Sequence, residues 1–246
     1  MPEPAPPRPS LGKPAEAGQF ILARRHRLIS RHVPLGPDQV LLDFGCGSGA
    51  QALLFAHQVG RVVGVDVVPG HVRALQAAAR VQGVADRTAA VLYDGDRLPL
   101  ADTSVDVVIS CEVLEHVADE ATALREIRRV LRPGGHLALT VPNKWWLFET
   151  HGARLPLLPW NRVPLFSWLP GPLHRRWAHA RIYRRGPLVR LLARHGLTVE
   201  HTAQVTAPLD VLPAGGLRDR LRRTVFRGDT TAIPVLATAI LAVARR

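Results

Sequence analysis

Residues 40–49 read VLLDFGCGSG, and this stretch decides the fold. The apolar run before the first glycine predicts a buried parallel strand, because it is too short for a helix and lacks the alternation of a half-exposed strand. Gly45, Gly47 and Gly49 then predict a tight turn, and the alanine-rich residues 50–59 have helical composition. A strand, a glycine turn and a helix in this order indicate a site for a nucleotide-like ligand.

Strands and helices are predicted to alternate on both sides of this stretch. An amphipathic helix is expected over residues 20–32, with Phe20, Ile21, Leu28 and Ile29 facing inward. Further strands are predicted over residues 61–66, 89–93, 105–110, 136–141, 197–205 and 235–243. Further helices are predicted over residues 69–82, 120–130 and 187–195. The pattern predicts an α/β fold with a Rossmann-like, seven-stranded, mostly parallel sheet flanked by helices.

The length of 246 residues fits one medium-sized domain with an embellishment better than two domains. Residues 1–18 are rich in proline, glycine and alanine and are predicted to form a disordered tail, which leaves residues 19–246 for the domain. No apolar run is long enough for a membrane-spanning helix, and the first residues lack the apolar core of a signal peptide. We therefore expect a cytoplasmic protein, in which the two cysteines are free thiols.

The net charge of +12 is unevenly distributed. Residues 1–143 hold 15 basic and 15 acidic groups, whereas residues 144–216 hold 10 and 3 and residues 217–246 hold 7 and 2. Thirty of the 32 basic residues are arginine, which a GC-rich genome would also favour, so the charge alone is a weak argument for nucleic acid. Its location in the second half is the more informative feature.

All five tryptophans lie in an insertion after strand five, which we place at residues 143–186 and which is also rich in arginine. As a substrate-covering lid, it would line an apolar acceptor pocket, with His151 or Glu149 offering a base. As a membrane-surface element, it would place tryptophans in the lipid boundary and arginines on anionic headgroups. The third alternative is a small satellite core with a solvated basic face.

Acidic residues follow the second and third strands. Asp66 closes strand two, where a carboxylate can accept hydrogen bonds from both ribose hydroxyls of an adenosine group. Asp94-Gly95-Asp96 ends strand three, where it can meet the adenine amino group. The glycine pattern is D-x-G-x-G-x-G, whereas a pyrophosphate site would read G-x-G-x-x-G. These features favour S-adenosylmethionine over NAD or FAD.

Three later strings complete an ordered set, namely LPLADTSVDVVIS at residues 98–110, CEVLEHV at 111–117 and RVLRPGG at 129–135. The set resembles the class I S-adenosylmethionine-dependent methyltransferases over about residues 35–142. The resemblance implies that the glycine loop packs against the methionine part, that the acid after strand two holds the ribose and that the acid after strand three contacts adenine. The cofactor-binding residues expected from it are Asp43, Gly45, Cys46, Gly47, Gly49, Asp66, Val67, Asp94, Gly95, Asp96 and Cys111. The alternative is that Asp43 and Asp66 only cap the turns that follow them.

The residues just beyond strand four are candidates for binding or deprotonating the acceptor. Glu112, Glu115 and His116 could supply a base for an oxygen acceptor or ligands for a divalent cation such as Mg²⁺. The string resembles that of the ubiquinone-pathway O-methyltransferases, and this resemblance implies the metal. A packing or positioning role for His116 is the alternative. The catalytic candidates are therefore His116, His151 and Glu149.

The leading hypothesis is an enzyme that methylates a small, hydrophobic acceptor, at oxygen in preference to nitrogen or carbon. The enzyme could also contact an anionic membrane surface at the inner membrane face. A nucleic-acid methyltransferase is the alternative, because the second half is basic and tryptophans stack on bases. It is disfavoured because strand four ends in Ser110-Cys111-Glu112, without the Asn/Asp-Pro-Pro-aromatic string of amino-methylating nucleic-acid enzymes. A third hypothesis is a cofactor-binding fold that only scaffolds a partner.

Overall fold

The structure is a computed structural model that describes residues 18–148, 164–210 and 212–246, without the side chain of Arg175. The predicted tail, except for Gly18, lies outside these residues, as do Glu149 and His151. The seven strands are β1 (Val40–Phe44), β2 (Arg61–Asp66), β3 (Thr88–Leu92), β4 (Val105–Cys111), β5 (Leu131–Pro142), β6 (Thr198–Thr206) and β7 (Ala237–Arg245). The helices are α1 (Phe20–His32), α2 (Pro69–Val81), α3 (Glu120–Val130), α4 (Gly171–Trp177), α5 (Arg185–Arg194) and α6 (Gly216–Arg223).

The strands form one sheet in the order β3-β2-β1-β4-β5-β7-β6. Neighbours from β3 to β5 are parallel, and β7 runs antiparallel between β5 and β6. The predicted seven-stranded, mostly parallel sheet is therefore confirmed. Because the strand order reverses between β1 and β4, the carboxyl ends of these strands flank a topological switch point, where open α/β sheets bind ligands.

The sheet is buried on both faces, as the uninterrupted apolar strands predict. Leu42 and Phe44 of β1 face a core built with Leu124 of α3 and Leu188 of α5. Leu41, the neighbour of Leu42 in the strand, instead packs with residues of α1 and α2 on the other face. The period of two along a strand thus distributes one apolar run between two cores.

The segment after the glycine turn differs from the expected helix. It contains a 3₁₀-helix, Ala52–Phe55, flanked by turns. Ala52 and Phe55 are fully buried, whereas Leu54 is exposed. A spacing of three between buried residues matches the three residues per turn of a 3₁₀-helix, so the tighter winding keeps them on one face. Helical composition therefore predicted the wrong kind of helix here.

Helix α1 is anchored to the carboxyl-terminal part of the chain by Arg24, which is fully buried. Its guanidinium donates to the carbonyl oxygens of Thr206 at 2.7 Å and Ala207 at 2.9 Å, and also to that of Phe226. Phe20, which was expected to face inward, is half exposed. Its ring is covered instead by the guanidinium groups of Arg24 and Arg222, at 4.8 and 5.0 Å from the ring centroid.

Candidate cofactor and acceptor site

The glycine turn is held against the end of β2 by main-chain hydrogen bonds. The N–H groups of Gly45 and Cys46 both donate to the carbonyl oxygen of Val65 at 2.9 Å. Gly45 has φ +77°, and a Cβ at this position would lie 2.5 Å from Val113 Cγ2. Only glycine combines this backbone conformation with such a close approach. The turn therefore leaves no room for a side chain between β1 and the segment after β4.

Asp66 connects the turn to β2 through its carboxylate. Oδ2 accepts the N–H of Gly47 at 2.9 Å, and Oδ1 accepts the N–H of Val68 at 2.9 Å and lies 3.1 Å from Nδ1 of His71. A carboxylate has about four acceptor positions, so Oδ2 keeps one for a ligand. Asp66 therefore shapes the loop, and one free acceptor position would suit one ribose hydroxyl; that Asp66 holds the ribose stays a prediction.

Two buried polar side chains lie beside the turn and point to a ligand. Within residues 18–148, 164–210 and 212–246, Asp43 Oδ2 and both amide atoms of Gln51 have no hydrogen-bond partner. Asp43 is 2% exposed, and burial, helped by the charge of Asp66, raises its pKa to about 7. A buried carboxylate oxygen without a hydrogen-bond partner is costly, so a cationic group bound here would stabilise the ionised form of Asp43.

The turn after β3 fits an adenine edge. Asp94 Oδ1 accepts the N–H groups of Asp96 at 2.9 Å and Arg97 at 3.1 Å, and these bonds lower the pKa of this exposed carboxyl group. A Cβ on Gly95 would lie 3.7 Å from Cγ1 of Val67, so the turn sits against an exposed apolar side chain at the end of β2. Asp94 thus caps the turn, and its second oxygen is available to an amino group. Asp96 is exposed to solvent.

The two thiols lie at the same edge but are not activated. Cys46 is buried in the turn, where its side chain faces Gly64, and burial raises its pKa far above the ordinary value. Cys111 ends β4 beside Thr140, and burial raises its pKa to about 12. Both residues therefore act as small side chains in a crowded wall, as expected for Cys46, and neither carries a thiolate near neutral pH.

An ion pair that the sequence pattern did not reveal closes this edge. Arg25 of α1 is 7% exposed and lies 3.0 Å from Glu112 Oε1, immediately after β4. Its positive charge also acts on Cys111, which places the guanidinium close to the end of β4. Glu112 has φ +58°, an unusual conformation for a residue other than glycine. Helix α1 therefore contributes a buried cation to the candidate site, and Arg25 and Gln51 are site residues absent from the sequence-based prediction.

The acceptor residues after β4 do not converge as a metal site. Glu112 is turned to Arg25, while Glu115 is fully buried with its Oε1 4.0 Å from Nε2 of His116. In the part of the chain that the structure describes, no group of three His, Cys, Asp or Glu side chains is placed to hold a metal ion. The geometry of these described residues thus does not support the predicted cation site, because Glu112 pairs with Arg25 and the three side chains are not placed to share one ion.

The second half of the chain covers these residues. Arg181, which precedes α5, donates through Nη1 to the carbonyl oxygen of Val117 at 2.6 Å, and its N–H donates to that of Glu115 at 3.2 Å. Tyr183 donates its hydroxyl to Glu120 at 2.7 Å. The segment before α5 therefore lies over the loop that carries His116. The other catalytic candidates, His151 and Glu149, lie outside the described residues.

A cavity of about 510 Å³ lies at the opposite edge of the sheet, where the strands begin. Its walls include Pro37, Val59, Arg61 and Arg87, and they contain none of the predicted site residues. It is a cleft between the starts of β2 and β3. Ligands of open parallel sheets bind beyond the carboxyl ends of the strands, so we assign it no part in the site.

One sheet edge carries features that match the parts of S-adenosylmethionine in order. They are the buried Asp43 carboxyl, the glycine turn, Asp66 and the Asp94 turn. The cationic methionine end would meet Asp43, the ribose would meet Asp66, and the adenine would meet Val67 and Asp94. The residues present therefore fit this cofactor. Fold and site together support the class: residues 42–139 form a methyltransferase domain of the class I S-adenosylmethionine-dependent type.

Comparisons with known proteins agree with this assignment. Residues 42–139 match a methyltransferase domain family. A probable S-adenosylmethionine-dependent methyltransferase of Mycolicibacterium smegmatis is 34% identical over 198 residues, which cover 78% of this chain and 65% of that protein. The 27-O-demethylrifamycin SV methyltransferase of Amycolatopsis mediterranei is 38% identical over 108 residues, which cover 44% of this chain and 40% of that enzyme. The chain thus spans less than two thirds of the length of either relative.

A solved structure extends the agreement to the whole fold. The crystal structure of an S-adenosylmethionine-dependent methyltransferase from Mesorhizobium loti superposes with a TM-score of 0.62 at 20% identity, covering 91% of this chain and 98% of that one. This similarity concerns the fold. None of the helices within the described ranges has the length and apolar character required to cross a bilayer.

Proposed function

We propose that the protein transfers a methyl group from S-adenosylmethionine to a hydroxyl of a small, lipophilic acceptor. The observation that carries the proposal is the buried Asp43, whose Oδ2 has no hydrogen-bond partner among the described residues, at a sheet edge that also carries the fully buried Glu115 just beyond β4. Asp43, Asp66 and Asp94 would hold the cofactor, while Arg25 and Glu112 would close the methionine end. When bound, S-adenosylmethionine supplies an electrophilic methyl group next to the acceptor.

The acceptor side is suited to a group that loses a proton. The side chain of His116 is only 9% exposed and neighbours the fully buried Glu115. A neutral imidazole in this setting accepts the hydroxyl proton at Nδ1, while Glu115 stabilises the imidazolium from the side of Nε2. In such a reaction the acceptor O–H bond would break with its proton going to Nδ1 of His116, and the oxygen would form its new bond to the methyl group that bound S-adenosylmethionine would supply, so charge and atoms balance.

Apolar side chains in the segment after β5 support a lipophilic acceptor. Trp146 is buried in a satellite cluster with Leu209 and Phe226, and Trp145 is half exposed beside it. Apolar walls with few polar groups favour apolar ligands. The named activity of the Amycolatopsis relative, on a demethylrifamycin, is in keeping with a small organic acceptor methylated at oxygen.

The test is an incubation of the purified protein with methyl-labelled S-adenosylmethionine and a lipid and small-molecule extract, followed by mass spectrometry. We expect label in an organic-soluble methyl ether, and a loss of about 100-fold in its rate of formation for His116→Gln at unchanged cofactor affinity. The loss should be partly restored at higher pH if the variant only lacks the base. Label on nitrogen or carbon would overturn O-methylation, and label confined to nucleic acid would support the alternative acceptor class.

A further inference from the structure

Five large apolar side chains form an exposed surface beyond β5, which we call the tryptophan–leucine surface. Each is between 36% and 50% exposed. The members are Trp145, Leu147, Leu165, Trp168 and Leu173. Isolated exposed apolar residues are ordinary on proteins, but a contiguous group of this size indicates an interaction site.

Hydrogen bonds between two chain segments make this surface contiguous. The N–H of Leu165 donates to the carbonyl oxygen of Leu147 at 2.7 Å, and Trp168 donates its indole N–H to that of Trp145 at 3.2 Å. Lys144 reaches the carbonyl oxygens of Ser167 at 3.0 Å and Leu169 at 2.9 Å. Residues 144–147 and 165–169 are therefore joined side by side, which brings the exposed Trp145, Leu147, Leu165 and Trp168 into adjacent segments, and Leu173 follows in α4.

Cations border the surface. The Arg184 guanidinium lies 5.3 Å from the centroid of the Trp145 ring, and Arg176 of α4 is exposed and lies 5.8 Å from the ring centroid of Trp177. Residues 144–199 contain ten lysines and arginines and a single acidic residue, Glu149. A partner for this face must therefore present negative charge at its border and accept tryptophan and leucine at its centre.

An anionic lipid bilayer meets both requirements. Tryptophan prefers the boundary between headgroups and acyl chains, because its ring is apolar and its N–H is polar. Arginine contacts lipid phosphates from the same depth, and its apolar stem tolerates the boundary. A nucleic acid would also attract arginine, but it would leave Leu147, Leu165 and Leu173 in contact with water.

We propose that the tryptophan–leucine surface docks on an anionic lipid bilayer, with Arg176 and Arg184 at lipid phosphates and Trp145 and Trp168 in the headgroup boundary. The surface begins three residues beyond the end of β5, at the sheet edge that carries the cofactor residues. Docking would therefore bring the acceptor side close to the bilayer. The proposal adds a location to the proposed function, and its test needs no methyl acceptor.

The test is flotation of the full-length protein with phosphatidylcholine vesicles that either lack or contain phosphatidylglycerol. We expect binding to the anionic vesicles alone, weakened by salt as screening increases. The double variant Arg176→Gln with Arg184→Gln should weaken partitioning about 25-fold, since each cation contributes about fivefold near an anionic surface. The double variant Trp168→Ser with Leu173→Ser should weaken it at least about tenfold.

A matched control lies on α2. Val81 is 88% exposed and its neighbour Arg80 is also exposed, so Val81→Ser with Arg80→Gln removes one apolar side chain and one charge away from the surface. This variant should float like the original protein. Calorimetric titration of S-adenosylmethionine shows whether each variant is folded, and quenching of tryptophan fluorescence by brominated lipids tests insertion without any variant.

Several results would overturn docking on lipid through this surface. Equal binding to neutral and anionic vesicles would do so, as would a loss of flotation for the α2 control equal to that of the surface variants. So would a loss confined to Arg220→Gln with Arg223→Gln in α6. Self-association that the Trp168 and Leu173 changes abolish would assign the surface to a second copy, and weakened oligonucleotide binding with unchanged flotation would assign it to nucleic acid. Normal cofactor binding without flotation would leave the proposed methyl transfer intact.

Discussion

We call the glycine turn, Asp43, Asp66 and the turn at Asp94 the cofactor end. It lies at the same edge of the sheet as the tryptophan–leucine surface, but the two are built in opposite ways. At the cofactor end, the turn is bonded to β2 through Val65 and Asp66, and its side chains are buried. At the tryptophan–leucine surface, two segments outside the sheet bond to each other and expose their largest side chains. The cofactor end is thus held by hydrogen bonds without a ligand, whereas the other surface exposes the side chains that the proposed docking would cover.

The two regions also differ in charge. Asp43, Asp66 and Asp94 make the cofactor end acidic, in keeping with a ligand that carries a sulfonium and an ammonium group. The segment after β5 is basic, and Arg184 lies on the exposed Trp145. A single sheet edge therefore carries acidic residues at the proposed cofactor site and basic residues after β5, which would separate the two proposed ligands by electrostatics as well as by shape.

The largest expected effect tests how tightly the cofactor end is built. Gly45→Ala introduces a Cβ at φ +77°, 2.5 Å from Val113, and should cost about 3 kcal/mol of unfolding free energy. It should also lower the affinity for S-adenosylmethionine about 100-fold, because the turn is displaced. Chemical denaturation and calorimetric titration measure the two effects.

Gly83→Ala is the matched control for this change. Gly83 has φ +70°, but a Cβ there meets nothing within 4 Å. It should cost only about 1 kcal/mol and leave cofactor affinity unchanged. If both alanine variants behaved alike, backbone conformation alone would explain the effect, and the close approach of Val113 would be irrelevant.

A second expected effect separates the two tryptophans of the acceptor region. Trp146 is 6% exposed in a cluster with Leu209 and Phe226, so Trp146→Ala should lower the unfolding free energy by about 3 kcal/mol. Trp168 is 42% exposed, so Trp168→Ala should cost about 1 kcal/mol or less. Thermal unfolding checks both values, and equal losses would mean that Trp168 belongs to the core.

A third expected effect concerns pH and is spread over about three pH units. The folded-state pKa of Asp43 is raised to about 7, so between about pH 4 and pH 7 the folded chain keeps a proton that the unfolded chain loses. This group therefore contributes stability at low pH, and the contribution falls as pH rises through that range, by at most about 1.4 kcal/mol per pH unit. Chemical denaturation at several pH values should show a shallower fall of the unfolding free energy with rising pH for Asp43→Asn.

Cofactor affinity should change with pH in the opposite direction. A cationic ligand favours ionised Asp43, so binding to the original protein should tighten as pH rises through about 7, and this change should be absent in Asp43→Asn. Comparison of the two proteins cancels the titration of the ligand itself. The same pH dependence in both proteins would contradict a contact between Asp43 and the methionine end.

Much of the cofactor end could be predicted from the sequence. The limits of α1, β2 and α3 were predicted as they occur, because apolar periodicity and flanking glycines or prolines mark them locally. Asp66 could be found because it follows a strand at a regular distance from the glycine turn. The 3₁₀-helix Ala52–Phe55 could not, because composition does not distinguish three from 3.6 residues per turn.

Side chains that reach the site from distant parts of the chain could not be predicted either. Arg25 pairs with Glu112 across 87 positions, and Arg24 bonds to Thr206 across 182 positions. On α1 they are adjacent arginines with no pattern that separates them. One supports the carboxyl-terminal part of the chain and the other faces the candidate site, because successive residues of a helix point about 100° apart.

The sequence by itself determined the class of fold and the class of cofactor, and it predicted the order of the binding residues, since these depend on local patterns and on the rule that parallel strands end at one edge. Only the tertiary structure decided which buried groups lack partners, that Glu112 turns to Arg25, and that Trp145 is exposed while its neighbour Trp146 is buried. Those outcomes depend on contacts between segments far apart in the chain, and on which face of each segment the other covers.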